Sequence, residues 1–81
     1  MRITVKLFAL AREVYGDDTI VIALPAGATV GELRRRLKVE IPGLVSLMSQ
    51  ILIAVNTEYA SDEFPLAEGD DVACIPPVSG G

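Results

Sequence analysis

The chain is too short to build more than one hydrophobic core, and this limit decides what it can fold into. A domain of 81 residues buries roughly 60–65% of the surface that its unfolded form exposes. The single cysteine, Cys74, cannot close an internal disulfide. Aliphatic side chains supply most of the 51% hydrophobic content. The sequence therefore predicts one compact domain held together by isoleucine, leucine and valine.

The composition also narrows the chemistry that the chain can perform alone. The absence of histidine removes the usual general base, the nucleophile pairs that depend on it and imidazole metal ligands. Cys74 lies in the apolar run 71–75, where we interpret it as a small core residue and not as a reactive thiol. No glycine-rich run is followed by lysine and serine or threonine, so no phosphate-binding loop is predicted.

The charge and hydropathy patterns bear on partners and location. The net charge is −4 and there is no basic arm, which argues against a nucleic-acid partner. A mildly acidic chain can complement a basic groove on another protein, and the same charge also serves solubility. The sequence has no charged leader and no long apolar stretch, so we expect no membrane association and a cytoplasmic protein.

Five segments have the pattern of β-strands. Residues 2–8 alternate between apolar and polar side chains, as in a strand with one buried face. Residues 50–56 form a nearly continuous apolar run, which predicts a strand buried on both faces. The predicted strands cover residues 2–8, 19–24, 50–56, 57–61 and 71–75.

One principal helix is predicted between the second and third strands. Thr29 and Glu32 fit the capping-box pattern, in which each side chain accepts a hydrogen bond at the helix start. The apolar residues of this helix are spaced by three and four and form one stripe. The arginines at 34–36 mostly point away from that stripe, which favours a solvated face over a partner contact. The stripe consists of Val30, Leu33 and Leu37.

The order of these elements predicts an α+β domain with two layers. A short helical segment at 9–15, ended by Gly16, separates two strands that can pair as an antiparallel hairpin. The principal helix then crosses one face of a mixed sheet of about five strands. We expect residues 1–75 to form this domain and residues 76–81 to form a flexible C-terminal tail.

The tail has the composition of a segment that enters a narrow channel. Pro76 and Pro77 favour extended backbone and reduce the entropy lost on insertion. Gly80 and Gly81 have no side chains and tolerate any backbone angle. The six residues span at most about 20 Å. We expect a bulky residue at either glycine to block insertion while leaving the fold intact.

Several of these segments together resemble a known family. The chain is similar to the β-grasp, or ubiquitin-like, fold and more narrowly to the small sulfur-carrier subunits of molybdopterin synthase. In that family the position before Pro76 is often aromatic, whereas this chain has Ile75. The matching stretches are residues 5–9 with Arg12 and Glu13, residues 54–56, residues 65–72 and residues 75–81.

The resemblance implies a chemistry for the C-terminus. An E1-like enzyme would adenylate the Gly81 carboxylate with ATP, and a sulfur donor would then displace AMP to leave a thiocarboxylate. The sulfur would pass to cyclic pyranopterin monophosphate in the large synthase subunit. Gly81 and Gly80 would be the reactive tip. The chain itself would bind no cofactor and would not be an enzyme alone, because the E1-like partner handles ATP.

The resemblance also implies the partners. They are the E1-like enzyme and the large synthase subunit, the latter in a heterotetramer of two small and two large subunits. An apolar surface near the tail base would bind both, with Arg12 adding an ion pair at its rim. The predicted partner-binding residues are Phe8, Arg12, Tyr59, Ile75, Pro76, Pro77, Val78 and Ser79.

Three alternatives stay open at this point. A ubiquitin-like modifier would use the same adenylation but join Gly81 to lysines of other proteins. A sulfur carrier of the thiamine pathway would share the thiocarboxylate. A plain interaction domain of this fold would have an inert tail, and deletion of Gly80 and Gly81 would then cost no function.

Overall fold

The computed structural model describes residues 1–77 and has a five-stranded sheet with helices on one face. The five strands, the short first helix and the principal helix follow one another in the predicted order, and a 3-10 helix lies between the principal helix and the third strand. The helices are α1 (Ala9–Tyr15), α2 (Val30–Glu40) and a 3-10 helix (Pro42–Gln50). The strands are β1 (Arg2–Leu7), β2 (Thr19–Ala23), β3 (Leu52–Val55), β4 (Glu58–Tyr59) and β5 (Val72–Ile75).

The sheet is mixed, and its strand order is β2-β1-β5-β3-β4. β1 and β2 pair antiparallel with Ile3 opposite Ile22, which confirms the predicted hairpin. β5 runs parallel to β1, with Cys74 opposite Leu7. It also runs antiparallel to β3, with Cys74 opposite Ile53. The last strand of the sequence therefore occupies the centre of the sheet, and the predicted α+β class is confirmed.

The core lies between the sheet and α2. Ile3 and Val5 of β1 are fully buried, as the alternation of residues 2–8 predicts. The apolar stripe of α2 packs against this side of the sheet, and all three of its side chains are 0% exposed. Cys74 is also 0% exposed, which confirms its interpretation as a core residue. The three buried residues of the α2 stripe are Val30, Leu33 and Leu37.

The start of α2 has the predicted capping box. The Thr29 hydroxyl accepts a hydrogen bond from the Glu32 backbone N–H at 3.4 Å. The Thr29 backbone N–H donates to the Glu32 carboxylate at 3.3 Å. These two bonds satisfy donors that the first turn of a helix leaves without partners. The helix start is thus fixed by residues that are close in sequence.

The arginine run 34–36 departs from the prediction at its first residue. Arg35 and Arg36 are exposed, but the Arg34 side chain is only 17% exposed. Its Nε donates to Asp62 Oδ1 at 2.7 Å and its Nη1 donates to the Met48 carbonyl at 2.9 Å. Arg34 therefore connects α2 to the 3-10 helix and to the turn at 62–63.

The prediction that residues 50–56 form a strand buried on both faces is wrong at Leu52. Ile53, Ala54 and Val55 are buried, whereas Leu52 is 49% exposed. The physical reason is that the helices cover one face of the sheet only, and successive strand side chains point to opposite faces. Leu52 points to the open face, where no helix covers it.

Among residues 1–77, no helix combines the length and the hydropathy that crossing a bilayer requires.

The hairpin between β3 and β4 contains a strained threonine whose replacement should stabilise the fold. Asn56 and Thr57 form a two-residue loop with φ of 51° and 72°, as in type I′ turns, which favour Asn-Gly. A β-branched residue is disfavoured at positive φ. We expect Thr57→Gly to raise the free energy of unfolding by about 1 kcal/mol, measured by urea denaturation.

A glycine in the adjacent strand is the control. Glu58 begins β4, so Glu58→Gly should lower the free energy of unfolding by about 0.5–1 kcal/mol through its entropic cost. Equal destabilisation by both variants would contradict the strain assigned to Thr57.

Candidate functional site

The described chain leaves the sheet at its centre. β5 pairs with β1 on one side as far as Cys74 and with β3 on the other as far as Ile75, which lies opposite Leu52. Pro76 follows directly and is buried, and Pro77 is exposed. This geometry anchors the base of the predicted tail at the central strand of the sheet. The predicted site residues Val78, Ser79, Gly80 and Gly81 lie outside the described residues.

Three segments meet where β5 ends. Leu52 of β3 lies opposite Ile75 in the strand register. On the other side, the Phe8 backbone N–H donates to the Cys74 carbonyl at 3.3 Å. Phe8 and Ile75 therefore lie in adjoining segments beside the tail base, and their role in binding partners stays a prediction.

The open face of the sheet carries an apolar patch next to this exit. Register partners share a face, and the cross-strand pairs Leu52 with Ile75 and Ala54 with Tyr59 continue the patch from β5 to β4. Large apolar side chains here are well exposed, with Phe8 at 45% and Tyr59 at 70%. We call this surface the sheet patch, and it consists of Phe8, Leu52, Ala54, Tyr59, Ala73 and Ile75.

The backbone at the end of β1 explains why Phe8 is exposed. Phe8 itself is extended, with φ of −118° and ψ of 155°, so its side chain continues the alternation of β1 and points to the open face. Ala9 then has φ of 50°, a left-handed conformation that turns the chain into α1. Such conformations cost energy in residues other than glycine and often occur near functional sites.

Leu52 belongs to the sheet patch, although the sequence analysis did not select it. The signal was present in the period-two alternation, because Leu52 and Ala54 share the face opposite to Ile53. On this open face the large Leu52 side chain is exposed, whereas the small Ala54 is only 8% exposed.

Arg12 is the predicted residue that the structure does not connect to the sheet patch. It lies on α1 and is exposed, and its carbonyl accepts the Gly16 N–H that ends this helix. Within residues 1–77, neither the hydrogen bonds nor the strand registers join its side chain to Phe8 or Ile75. Its role at the rim of a partner interface stays a prediction.

Cys74 lies directly before the tail base but cannot act as a nucleophile in the folded state. Burial raises the pKa of its thiol from 9.0 to about 11, and the positive charge of Arg34 partly opposes this shift. Thiolates, and not thiols, are the reactive form. The one cysteine of the chain is therefore unreactive at neutral pH while the domain is folded.

The raised pKa of Cys74 predicts a pH dependence of stability. The unfolded thiol loses its proton near its pKa of 9.0, whereas the folded thiol keeps its proton up to a pKa of about 11. Between these values the folded state binds more protons, so the free energy of unfolding should fall as pH rises. Urea denaturation across this pH range measures the fall.

The Cys74→Ala variant separates this effect from the titration of lysines and tyrosines. It should be less stable at neutral pH because it leaves a cavity, but its stability should fall less between the two pKa values. If the free energy of unfolding fell equally with pH in both proteins, the raised pKa of the buried Cys74 thiol would be contradicted.

Comparison with known proteins places this β-grasp domain among small carrier and modifier proteins. The ThiS family model matches residues 5–81. The chain is 42% identical over 80 residues to the molybdopterin synthase sulfur carrier subunit of Dictyostelium discoideum, covering 95% of this chain and 93% of that protein. The chain therefore belongs to the ThiS family, and the predicted β-grasp fold is confirmed.

Two solved structures extend this likeness. Small archaeal modifier protein 1 of Haloferax volcanii matches with a TM-score of 0.84 and 33% identity, over 95% of this chain and 98% of that one. A complex of subunits 1 and 2 of the molybdopterin-converting factor of Helicobacter pylori contains a chain that matches with a TM-score of 0.70 and 28% identity, with full coverage of both chains.

Proposed function

We propose that this chain is the sulfur-carrier subunit of a molybdopterin synthase. The observation that carries the proposal is similarity along almost the whole chain to a sulfur-carrier subunit, within a family match that reaches Gly81. The chain would be no enzyme by itself. It would supply sulfur to a large subunit, in which cyclic pyranopterin monophosphate is converted.

The proposed chemistry starts at the Gly81 carboxylate. A carboxylate is a poor electrophile, so an oxygen of Gly81 first attacks the α-phosphate of ATP on an E1-like enzyme and releases pyrophosphate. A sulfur donor then attacks the carbonyl carbon, AMP leaves, and a thiocarboxylate remains. This sulfur attacks a side-chain carbon of the pterin and displaces an oxygen leaving group from it, which gives a thioester between the two molecules. Water then hydrolyses the acyl–sulfur bond, so the carboxylate is restored and the sulfur stays on the pterin as a thiolate. The sulfur reacts as an anion at neutral pH and needs no neighbouring base.

The burial of Cys74 supports this chemistry. An acyl adenylate reacts readily with thiolates, and a reactive cysteine two residues before Pro76 would compete with the sulfur donor. Complete burial and a pKa of about 11 keep Cys74 protonated. A thiocarboxylate would thus be the only reactive sulfur of the folded protein.

The sheet patch supports docking to a larger partner. Exposed apolar patches mark protein interfaces, and this one adjoins the strand end from which the tail leaves the sheet. A partner that covers Phe8, Leu52 and Ile75 would hold the tail base at a fixed distance from its own active site. The Helicobacter pylori chain similar to this one is seen in a complex with a second subunit.

The first experiment follows the sulfur on the protein. We expect intact mass spectrometry to show the replacement of one oxygen by sulfur after incubation with an E1-like enzyme, ATP and sulfide. Iodoacetamide should then label the folded product once, because Cys74 is buried and thiolate character controls alkylation.

Two controls locate the label. Omission of ATP should abolish it, and Cys74→Ala should gain it as the original chain does. A label that requires Cys74, or a mass that does not change with ATP present, would refute the proposed chemistry.

The second experiment tests the sheet patch with matched substitutions. Leu52 lies in the patch, and Val21 lies on the same open face at the edge strand β2, opposite Thr4. Both side chains are 49% exposed. We expect Leu52→Asp to weaken binding to the large subunit at least tenfold, about 1.4 kcal/mol, measured by isothermal titration calorimetry.

Val21→Asp should change this affinity less than twofold, because β1 separates Val21 from the tail base. Circular dichroism should show both variants folded. Equal loss of affinity in the two variants, or none in Leu52→Asp, would show that the sheet patch is not the docking surface.

A second candidate function has specific support. The solved structure with 33% identity and a TM-score of 0.84 is named a small archaeal modifier protein. A modifier would use the same adenylation but transfer Gly81 to a lysine amine, forming an isopeptide bond. Immunoblots of cell extract for conjugates of higher mass distinguish the two, since a sulfur carrier predicts no conjugates that depend on Gly81.

A further inference from the structure

A second surface, distinct from the sheet patch, is a groove between α2 and the 3-10 helix. Its cavity volume is about 850 Å³. Its lining includes Arg35 and Lys38 of α2, Val45 of the 3-10 helix, and Asp62 and Glu63 of the turn at 62–63. The groove belongs to the helical layer and so lies on the side of the molecule away from the open face of the sheet.

Arg34 holds this groove in shape. Its guanidinium donates to Asp62 on one side and to the Met48 carbonyl on the other, at 2.7 Å and 2.9 Å. Arg34 is thereby neutralised and contributes to the walls rather than to binding. A groove that is held in this way loses little conformational entropy when it is filled.

The remaining positive charges along α2 differ in how they are compensated. Four of the seven lysines and arginines of this acidic chain lie on this helix. Arg36 pairs with Glu40 at 3.2 Å and Arg34 pairs with Asp62. Within residues 1–77, Arg35 and Lys38 form no ion pair. They are three residues apart and therefore neighbours on the helix surface.

An exposed apolar side chain lines the same groove as these two uncompensated charges. Val45 is 54% exposed although it lies in the groove. A ligand that matches the groove needs carboxylates for Arg35 and Lys38 and an apolar group for Val45. A peptide segment with an apolar residue between acidic residues has both.

We propose that this groove binds an acidic peptide segment of a partner protein, through Arg35 and Lys38 with an apolar side chain against Val45. Glu63, which also lines the groove, and the net charge of −4 favour a short peptide with few carboxylates over the polyanionic backbone of a nucleic acid, which carries one charge at every nucleotide. This surface goes beyond the proposed sulfur transfer. It stays accessible when a partner covers the sheet patch, so both partners can bind at the same time.

Fluorescence anisotropy with a labelled peptide tests the proposal. The probe is a peptide with one leucine flanked by aspartates, and the matched probe has asparagine in place of each aspartate. Each exposed ion pair contributes only modestly to affinity. We therefore expect Arg35→Gln and Lys38→Gln to weaken binding about threefold each, and both together about tenfold.

Arg36→Gln is the matched control, because it removes one charge from the same helix at a position that Glu40 compensates. It should leave peptide affinity unchanged. NMR shift changes of the original chain should concentrate at Arg35, Lys38 and Val45. Addition of the large synthase subunit should not displace the peptide.

Four outcomes would overturn the proposal. They are equal binding of the asparagine probe, an equal effect of Arg36→Gln, shift changes confined to the sheet patch, and displacement by a short single-stranded oligonucleotide at similar concentration. Thiocarboxylate formation should be normal in the Arg35→Gln/Lys38→Gln protein, so failure of this proposal and failure of the sulfur-carrier proposal are distinguishable.

Discussion

The pairing of β5 with both β1 and β3 is the constraint on which the rest of the structure depends. This strand is the last element of the described residues 1–77 but lies in the middle of the sheet. It contributes Val72 and Cys74 to the core, both 0% exposed, and it brings the end of β1 and the start of β3 to one place. Because strands distant in sequence must meet here, the tail base is fixed only when the whole domain has folded.

The sheet and the helices present two different surfaces, one apolar and one charged. The helices bury one face of the sheet, and this leaves apolar side chains such as Leu52 on the other face, beside the exit of the chain. The helical layer presents α2, whose charges are compensated at Arg34 and Arg36 but not at Arg35 and Lys38. One domain can therefore dock through its sheet at the tail base and offer a separate basic groove on its opposite side.

The sequence predicts the structural features that depend on residues close together in the chain. The capping box at Thr29 and the alternation of β1 follow from local spacing, and the structure contains both. The open position of Leu52 was missed because an apolar run conceals which face is covered. The hydrogen bond from Arg34 to Asp62 is not predicted, because the two residues are 28 positions apart in the sequence. Gly81 lies outside the described residues, so the chemistry proposed for it rests on the sequence and on the likeness to the family.

The role proposed for this domain is to carry a sulfur atom and to give it to a pterin. A single-turnover reaction tests it most directly: thiocarboxylated protein is mixed with the large subunit and cyclic pyranopterin monophosphate, and both protein and pterin are followed by mass spectrometry. The account predicts that the protein returns to its original mass while sulfur appears in the pterin. Retention of sulfur by the protein, or its loss to the solvent with the pterin unchanged, would contradict the account.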